Sequence, residues 1–323
     1  MKETIRFLII LLIILLSKNN LLFGAPDKNM QFKPVLTSEN FDNRVTKIQL
    51  KFIQEGKENI KDVGTGFFVN DGEKFIYLVS AGHIFKESLK NLIDNKGKMV
   101  FFQKFESKDG KLQNTITYEI DLIDCWKKNL LRFNESNDLG IIKLREFIKK
   151  EEISKEIEGK IEKSENQEVK SPMTYSASIN ISSDDGVVKY ENIKKAEDIY
   201  FFGYPELPTL QQFDKTHFLN PVIRKGIVSK LIDNKKIIIE GFASRGNSGS
   251  PVFVRREYIS LGGYKIEFRF IGLITGYFPV FFPKPTDSRV FYSENAGLAL
   301  VESVDNILEI IEEFRADDKK DSN

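Results

Sequence analysis

The chain has 323 residues, 41% hydrophobic and 29% charged, which is ordinary globular material and enough for one large domain or two small ones. Its 48 Lys+Arg nearly balance its 47 Asp+Glu, so no global field recruits nucleic acid or an anionic membrane, and no basic run interleaved with aromatics supplies a local one. Cys125 is the single cysteine, which excludes an intrachain disulfide; with only 2 His it leaves no ordinary Cys/His set for structural zinc, and neither a metal nor another cofactor is expected.

The chain opens with MKETIR and the unbroken apolar run FLIILLIILL (Phe7 to Leu16), then breaks at SKNN. The run is too short to span a bilayer, which takes about 20 residues. A basic start, a short apolar core and a polar break match a secretory signal over residues 1–25. Phe23 and Pro26 make FGAP a poor cleavage region, so an uncleaved N-terminal anchor extended through LLFGA is the alternative. Either way the expected location is exported, periplasmic or secreted, with no membrane contact beyond that anchor.

Short strand-like runs follow. KIQLKFIQ, GTGFFV, KFIYLVS, MVFFQKF, TITYEIDLI and LGIIKL alternate with turn signals, among them Asn70-Asp71-Gly72 and Asp109-Gly110. Cys125, flanked by apolar residues in LIDCWKK, reads as a buried structural thiol. The character then changes. Arg145 to Lys170 is dense in Glu and Lys, with isoleucines at roughly helical spacing, and reads as a solvated helical insertion.

Strand-like runs resume in DIYFFGYP, VIRKGIVSKLI, KIIIEGF, SPVFVRR, YKIEFRFIGLITGYF (Tyr264 to Phe278) and AGLALV. The chain finishes in a helix with Ser303 as candidate N-cap and apolar positions 307, 310, 311 and 314 on one face. The expected organisation is an all-β chain of two tandem six-stranded antiparallel barrels. The first covers about 45–145 and the second about 186–302, separated by an insertion over about 146–185 and followed by a helix over about 303–315.

Three side chains could do chemistry together. GNSGSPVF (Gly246 to Phe253) is a sharp turn rich in small residues, which suits either a surface turn or a nucleophilic Ser248 with free backbone N–H groups around it. His83 in YLVSAGHIF follows residues with little side chain that clear space around its ring. Asp138 precedes the apolar strand LGIIKL, and it either ends a loop or suits a carboxylate that holds an imidazole tautomer. The second histidine, His217, lies in a polar loop without an apolar frame.

Taken in order, GTGFFV, LVSAGHIF, NDLGIIKL, YFFGYP, GNSGSPVF and IGLITGY resemble the chymotrypsin-like (trypsin-fold) serine peptidases, in particular the bacterial exported HtrA-type and glutamyl-endopeptidase-like branch, over nearly all of Val45 to Val301. The resemblance implies Ser248 as nucleophile, His83 as general base and acid, and Asp138 as orienting carboxylate. It implies an oxyanion hole from the N–H groups of Gly246 and Ser248. Thr275 falls where the family has a serine whose hydroxyl touches the triad aspartate. Gly276 and Tyr277 continue a strand that pairs with substrate backbone. The implied partner is a protein or peptide substrate.

Departures narrow this. Asn247 stands where animal digestive members carry an aspartate that captures a new N-terminus, so no such activation is expected. Ile274 replaces the histidine that meets glutamate in glutamyl endopeptidases. Phe242 occupies the approximate base of the primary pocket, with Arg245 either on its rim or merely solvated, so a small or apolar residue is expected before the scissile bond. No PDZ domain is expected, because too few residues follow AGLALV. The alternative to an active endopeptidase is a catalytically silent or partner-gated binding protein of the same fold; a structural β protein with a fortuitous serine turn leaves the ordered motifs unexplained.

Overall fold

Alternating apolar side chains on short runs are satisfied when strands pair and bury one face, and the chain does this twice. The computed structural model describes residues 44–72, 75–106, 113–146, 178–182, 186–206, 220–260, 263–284 and 287–321. The leader, the Asp109-Gly110 turn, most of the charged insertion and His217 lie outside the described residues.

The N-terminal sheet is built from β1 (Val45–Gln54), β2 (Lys57–Asn70), β3 (Phe75–Ala81), β4 (Gly97–Glu106), β5 (Gln113–Ile120), β6 (Leu131–Asn134) and β7 (Leu139–Glu146). They run in the order β5-β4-β1-β2-β3-β7-β6, and β8 (Ile179–Asn180) adds in parallel to β2. Two helices interrupt it, α1 (Gly82–Asp94) and the short α2 (Leu122–Lys127). The second sheet comprises β9 (Asp198–Gly203), β10 (Val222–Ile232), β11 (Lys236–Glu240), β12 (Pro251–Ser260), β13 (Gly263–Lys284) and β14 (Asp287–Ser303). It closes as a barrel in the order β10-β11-β14-β13-β12-β9. The chain ends in α3 (Val304–Asp321). The fold is all-β, as expected. The second unit is the six-stranded barrel, whereas the first carries eight strands, seven of them in one path.

Several local expectations change. The strand read through Ile123 ends at Ile120, because Asp121 caps α2 by accepting from the Asp124 amide at 2.9 Å. Cys125 therefore sits on a helix, half-buried instead of fully buried, and desolvation raises its thiol pKa. Ser303 does not cap α3 with its side chain; its hydroxyl is buried without a hydrogen-bond partner.

A single core cluster runs between the units. Phe67 of the first sheet meets Phe270 of the barrel at 5.2 Å between ring centroids, and Phe202 and Phe253 continue it. Helix α3 buries Ile307, Ile310, Ile311 and Phe314, and lays Phe314 against Tyr77 at 5.8 Å. Arg132 binds Glu313 at 3.0 Å, which holds the same helix to the N-terminal sheet. A separate cluster, with Ile199, Phe201, Ile239 and Val254, fills the barrel. Among the described residues no helix is long and apolar enough to cross a membrane.

Candidate active site

Register explains why distant motifs meet. In the antiparallel pair β3–β7, Ala81 faces Leu139, so the chain leaving β3 and the chain entering β7 emerge at the same end. The next residues are Gly82-His83 on one side and Asp138 on the other. Helix α1 starts with no capping side chain, since Ala81 occupies its N-cap. Its first amides are served from across the sheet instead. Gly82 N–H donates to the Asp138 carbonyl at 2.7 Å and His83 N–H donates to Asp138 Oδ1 at 2.8 Å.

The other carboxylate oxygen, Asp138 Oδ2, lies 2.7 Å from His83 Nδ1. An ionised carboxylate can only accept, so Nδ1 carries the proton and Nε2 is left with its lone pair. Burial works against the imidazolium, but the hydrogen bond and charge of Asp138, with Glu87 behind them, outweigh it, and the His83 pKa lies above its usual value. The structure thus brings His83 and Asp138 together and fixes the ring through both backbone and side chain.

Ser248 reaches this end of the sheet through Thr65. Thr65 N–H donates to the Ser248 carbonyl at 3.0 Å, and Thr65 Oγ1 donates to the Gly246 carbonyl at 2.6 Å. The same hydroxyl accepts from the Tyr204 amide at 2.9 Å, and the Thr65 carbonyl accepts from Ser80 Oγ at 2.6 Å. One fully buried threonine therefore ties GTGFF, FGYP and GNSGS to one another. The sequence reading of GTGFFV as a motif had no role for this hydroxyl; a polar side chain inside an otherwise apolar strand was the available signal.

The loop itself is held by its own amides. Asn247, Gly249 and Ser250 donate to Ser244, Ile274 and Asn247 carbonyls at 3.0, 2.7 and 2.9 Å. The Gly246 and Ser248 amides have no acceptor among the described residues. The Arg245 carbonyl accepts from Glu206 N–H at 2.8 Å, and in a planar trans peptide this turns the Gly246 N–H the opposite way. The Asn247 carbonyl, engaged by Ser250, does the same for the Ser248 N–H. Ser248 Oγ makes no hydrogen bond among the described residues. Gly246 has φ +85°, and a Cβ there would come within 2.2 Å of the Tyr204 carbonyl. Gly203 is equally constrained, because a Cβ would lie 2.0 Å from Ser250 Oγ and 2.7 Å from Asn247 Nδ2. Asn247 is fully buried, its Oδ1 accepting from Ser244 N–H at 3.1 Å.

The expected specificity residues scatter. Thr275 is buried, and its hydroxyl donates to the Leu300 carbonyl at 3.5 Å while both Asp138 oxygens are engaged by His83. The expected contact between Thr275 and Asp138 is therefore not made. Ile274 is 1% exposed inside the barrel core, so it cannot line a pocket open to a ligand. Phe242 is exposed beneath the Arg224 guanidinium, 5.4 Å from its ring centroid. With Ile227, Gly241 and Gly297 it lines an open groove of about 490 Å³. Arg245 is exposed, Gly276 half-buried and Tyr277 exposed. Among the described residues no group of three or more His, Cys, Asp or Glu could hold a metal ion.

No family model matches the chain, and no curated protein does. Among solved structures it is similar to the HtrA-type protease AlgW with a decapeptide, at 10% identity and a TM-score of 0.41, over 86% of this chain. The chain spans 66% of that protein's length.

Proposed function

We propose that the protein is an exported serine endopeptidase, in which Ser248, His83 and Asp138 hydrolyse a peptide bond through an acyl-enzyme. The observation that carries this reading is the two-point hold of Asp138 on His83, 2.8 Å to its amide and 2.7 Å to Nδ1, at the end of the sheet where Thr65 holds Ser248. In this reading His83 Nε2 takes the Ser248 proton as Oγ attacks the scissile carbonyl, then gives it to the leaving amine. Asp138 keeps the tautomer that makes this transfer possible. The Gly246 and Ser248 amides receive the developing oxyanion, and losing one such donor costs about 2.7–4 kcal/mol in serine peptidases. Water then attacks the acyl-enzyme with His83 again as base. Apo catalytic hydrogen bonds commonly form only with substrate present, so the uncommitted Ser248 hydroxyl is compatible with this sequence.

The test is covalent labelling of the purified protein with a fluorophosphonate, beside Ser248→Ala and His83→Ala. Labelling of the wild type that disappears in both variants is the expected result. A folded wild type that does not label refutes the endopeptidase reading and favours the silent or partner-gated binding protein.

A further inference from the structure

Strands β13 and β14 run on well past the barrel. β12 pairs with β13 only as far as Leu273, opposite Pro251, and β11 pairs with β14 only over Leu298–Glu302. Beyond those points, from Tyr277 to Lys284 and from Asp287 to Asn295, the two strands pair with no other strand among the described residues. The result is a two-stranded ribbon reaching roughly 20 Å from its root at about 3.3 Å per residue. A lone hairpin of this kind is at best marginally stable in water.

Its side chains are the reverse of what a bare ribbon needs. Tyr277, Phe278, Val280, Phe281, Phe282 and Phe291 are all exposed, with Phe281 at 64% and Phe291 at 60%. Phe281 faces Ser293 and Pro283 faces Phe291, so Phe281 and Phe291 project diagonally from one face. The ribbon is poorly suited to adding another strand. Pro279 and Pro283 have no N–H, and in a ladder such prolines point away from the paired strand, which strips donors from the outer edge.

The root lies at the candidate site. Ile274 exchanges both backbone hydrogen bonds with the nucleophile loop, accepting from Gly249 at 2.7 Å and donating to Ser250 at 2.9 Å. Asn295, at the other side of the root, donates its side-chain amide to the Ala243 carbonyl, beside the exposed Phe242. The ribbon's root is thus bonded to the loop that carries Ser248 and to the residue beside Phe242. By sequence the ribbon carries Lys284, Asp287, Arg289 and Glu294, which cancel, so no net charge draws it to an anionic bilayer.

We propose that the ribbon's exposed apolar side chains, Tyr277 to Phe282 with Phe291, form a remote subsite, which binds aromatic or aliphatic side chains of an extended peptide about six residues from the bond cut at Ser248. This rests on the endopeptidase reading and adds to it a preference set well away from the scissile bond.

The test compares the full chain with a Phe281→Ser/Phe291→Ser double variant, and with Ile53→Ser, an exposed apolar residue of the N-terminal sheet, as control. Two substrates are used, a tetrapeptide and an extended peptide with Phe about six positions from the cut. The double variant is expected to raise KM for the extended peptide about tenfold or more, as loss of buried aromatic anchors does. Its tetrapeptide kinetics and fluorophosphonate labelling rate are expected to match those of the wild type and Ile53→Ser. An unchanged KM for the extended peptide overturns the proposal. So does unchanged peptide kinetics accompanied by lost flotation with phosphatidylcholine/phosphatidylserine vesicles, or by lost self-association in sedimentation. If the wild type does not label, the endopeptidase reading has failed, and the ribbon is judged by anisotropy of the dye-labelled extended peptide on Ser248→Ala. Tenfold weaker binding on adding the double substitution supports it, and equal binding overturns it.

Discussion

Replacing Thr65 by valine keeps the shape of a fully buried side chain and removes only its hydroxyl. Two hydrogen bonds go with it, the one given to the Gly246 carbonyl at 2.6 Å and the one taken from the Tyr204 amide at 2.9 Å. A buried polar group deprived of its partner costs about 1–3 kcal/mol, so two such losses are expected to destabilise the fold by about 2–6 kcal/mol. For a chain of this size that lowers Tm by roughly 5–20 °C. The effect on chemistry is separable. Gly246 O anchors the peptide that follows the Gly246 amide, and a freed peptide can turn an oxyanion donor away, with about a 10²–10³-fold loss of kcat if one donor is lost. The assay is fluorophosphonate labelling rate together with kcat and KM, measured below the variant's Tm. Thr65→Val is expected to lose labelling and kcat at little change in KM, and Thr65→Ser, which restores the hydroxyl, to recover both. A Thr65→Val protein that is destabilised as expected yet labels at the wild-type rate would show that the threonine only joins the two units.

Three further outcomes are expected. In the proposed function His83 acts as base only when neutral, and its pKa is raised, so the acid limb of kcat/KM should lie above the ordinary histidine value of 6.5, and Asp138→Asn should lower labelling sharply. The sign for stability is opposite: protonated His83 favours the folded state fully below 6.5, and this contribution fades as pH rises through the raised value, which a Tm series against pH reads. Glu302 is fully buried, and desolvation, only partly offset by Asn306 and Lys236, raises its pKa from 4.5 to about 7. Stability should therefore be full below 4.5 and fall by about 3 kcal/mol as pH rises to 7, while Glu302→Gln should remove this slope in chemical denaturation. Gly203→Ala forces a methyl to within 2.0 Å of Ser250 Oγ, and should cost about 1–3 kcal/mol or more with loss of labelling; wild-type labelling and stability in that variant would mean the loop yields freely.

The all-β class was legible because alternating apolar runs and turn residues report directly on pairing. What the runs do not report is where pairing stops. Residues 264–278 read as one strand, but β13 continues to Lys284, and the apolar stretch from Tyr277 to Phe282 looks the same whether a third strand covers it or not. Exposure there is a property of β12 beginning only at Pro251, opposite Leu273, a tertiary fact. The strand read into Ile123 failed for a local reason, since Asp121 offers a side-chain cap that starts a helix within an apolar run. Ser303 failed in the other direction, an apt N-cap residue whose hydroxyl is buried at the end of a strand instead.

At the site, the motifs were readable because each marks a backbone that must come close to another. Gly203 and Gly246 are small where Ser250 and the Tyr204 carbonyl would otherwise collide with a side chain. The pocket residues were harder, because β13 shifts register against β14 between Ile274 and Gly276, and both Ile274 and Thr275 end up buried, Ile274 in the barrel core and Thr275 bonded to Leu300. Asp138 ties the candidate site to the fold. Its φ of +50° and its two bonds to the first amides of α1 make it the helix's missing cap, and the oxygen left over is the one that meets His83 Nδ1. A helix that began with its own serine or aspartate would not need Asp138 for its first turn. Ala81 at that position makes the orientation of the imidazole a consequence of how the helix starts.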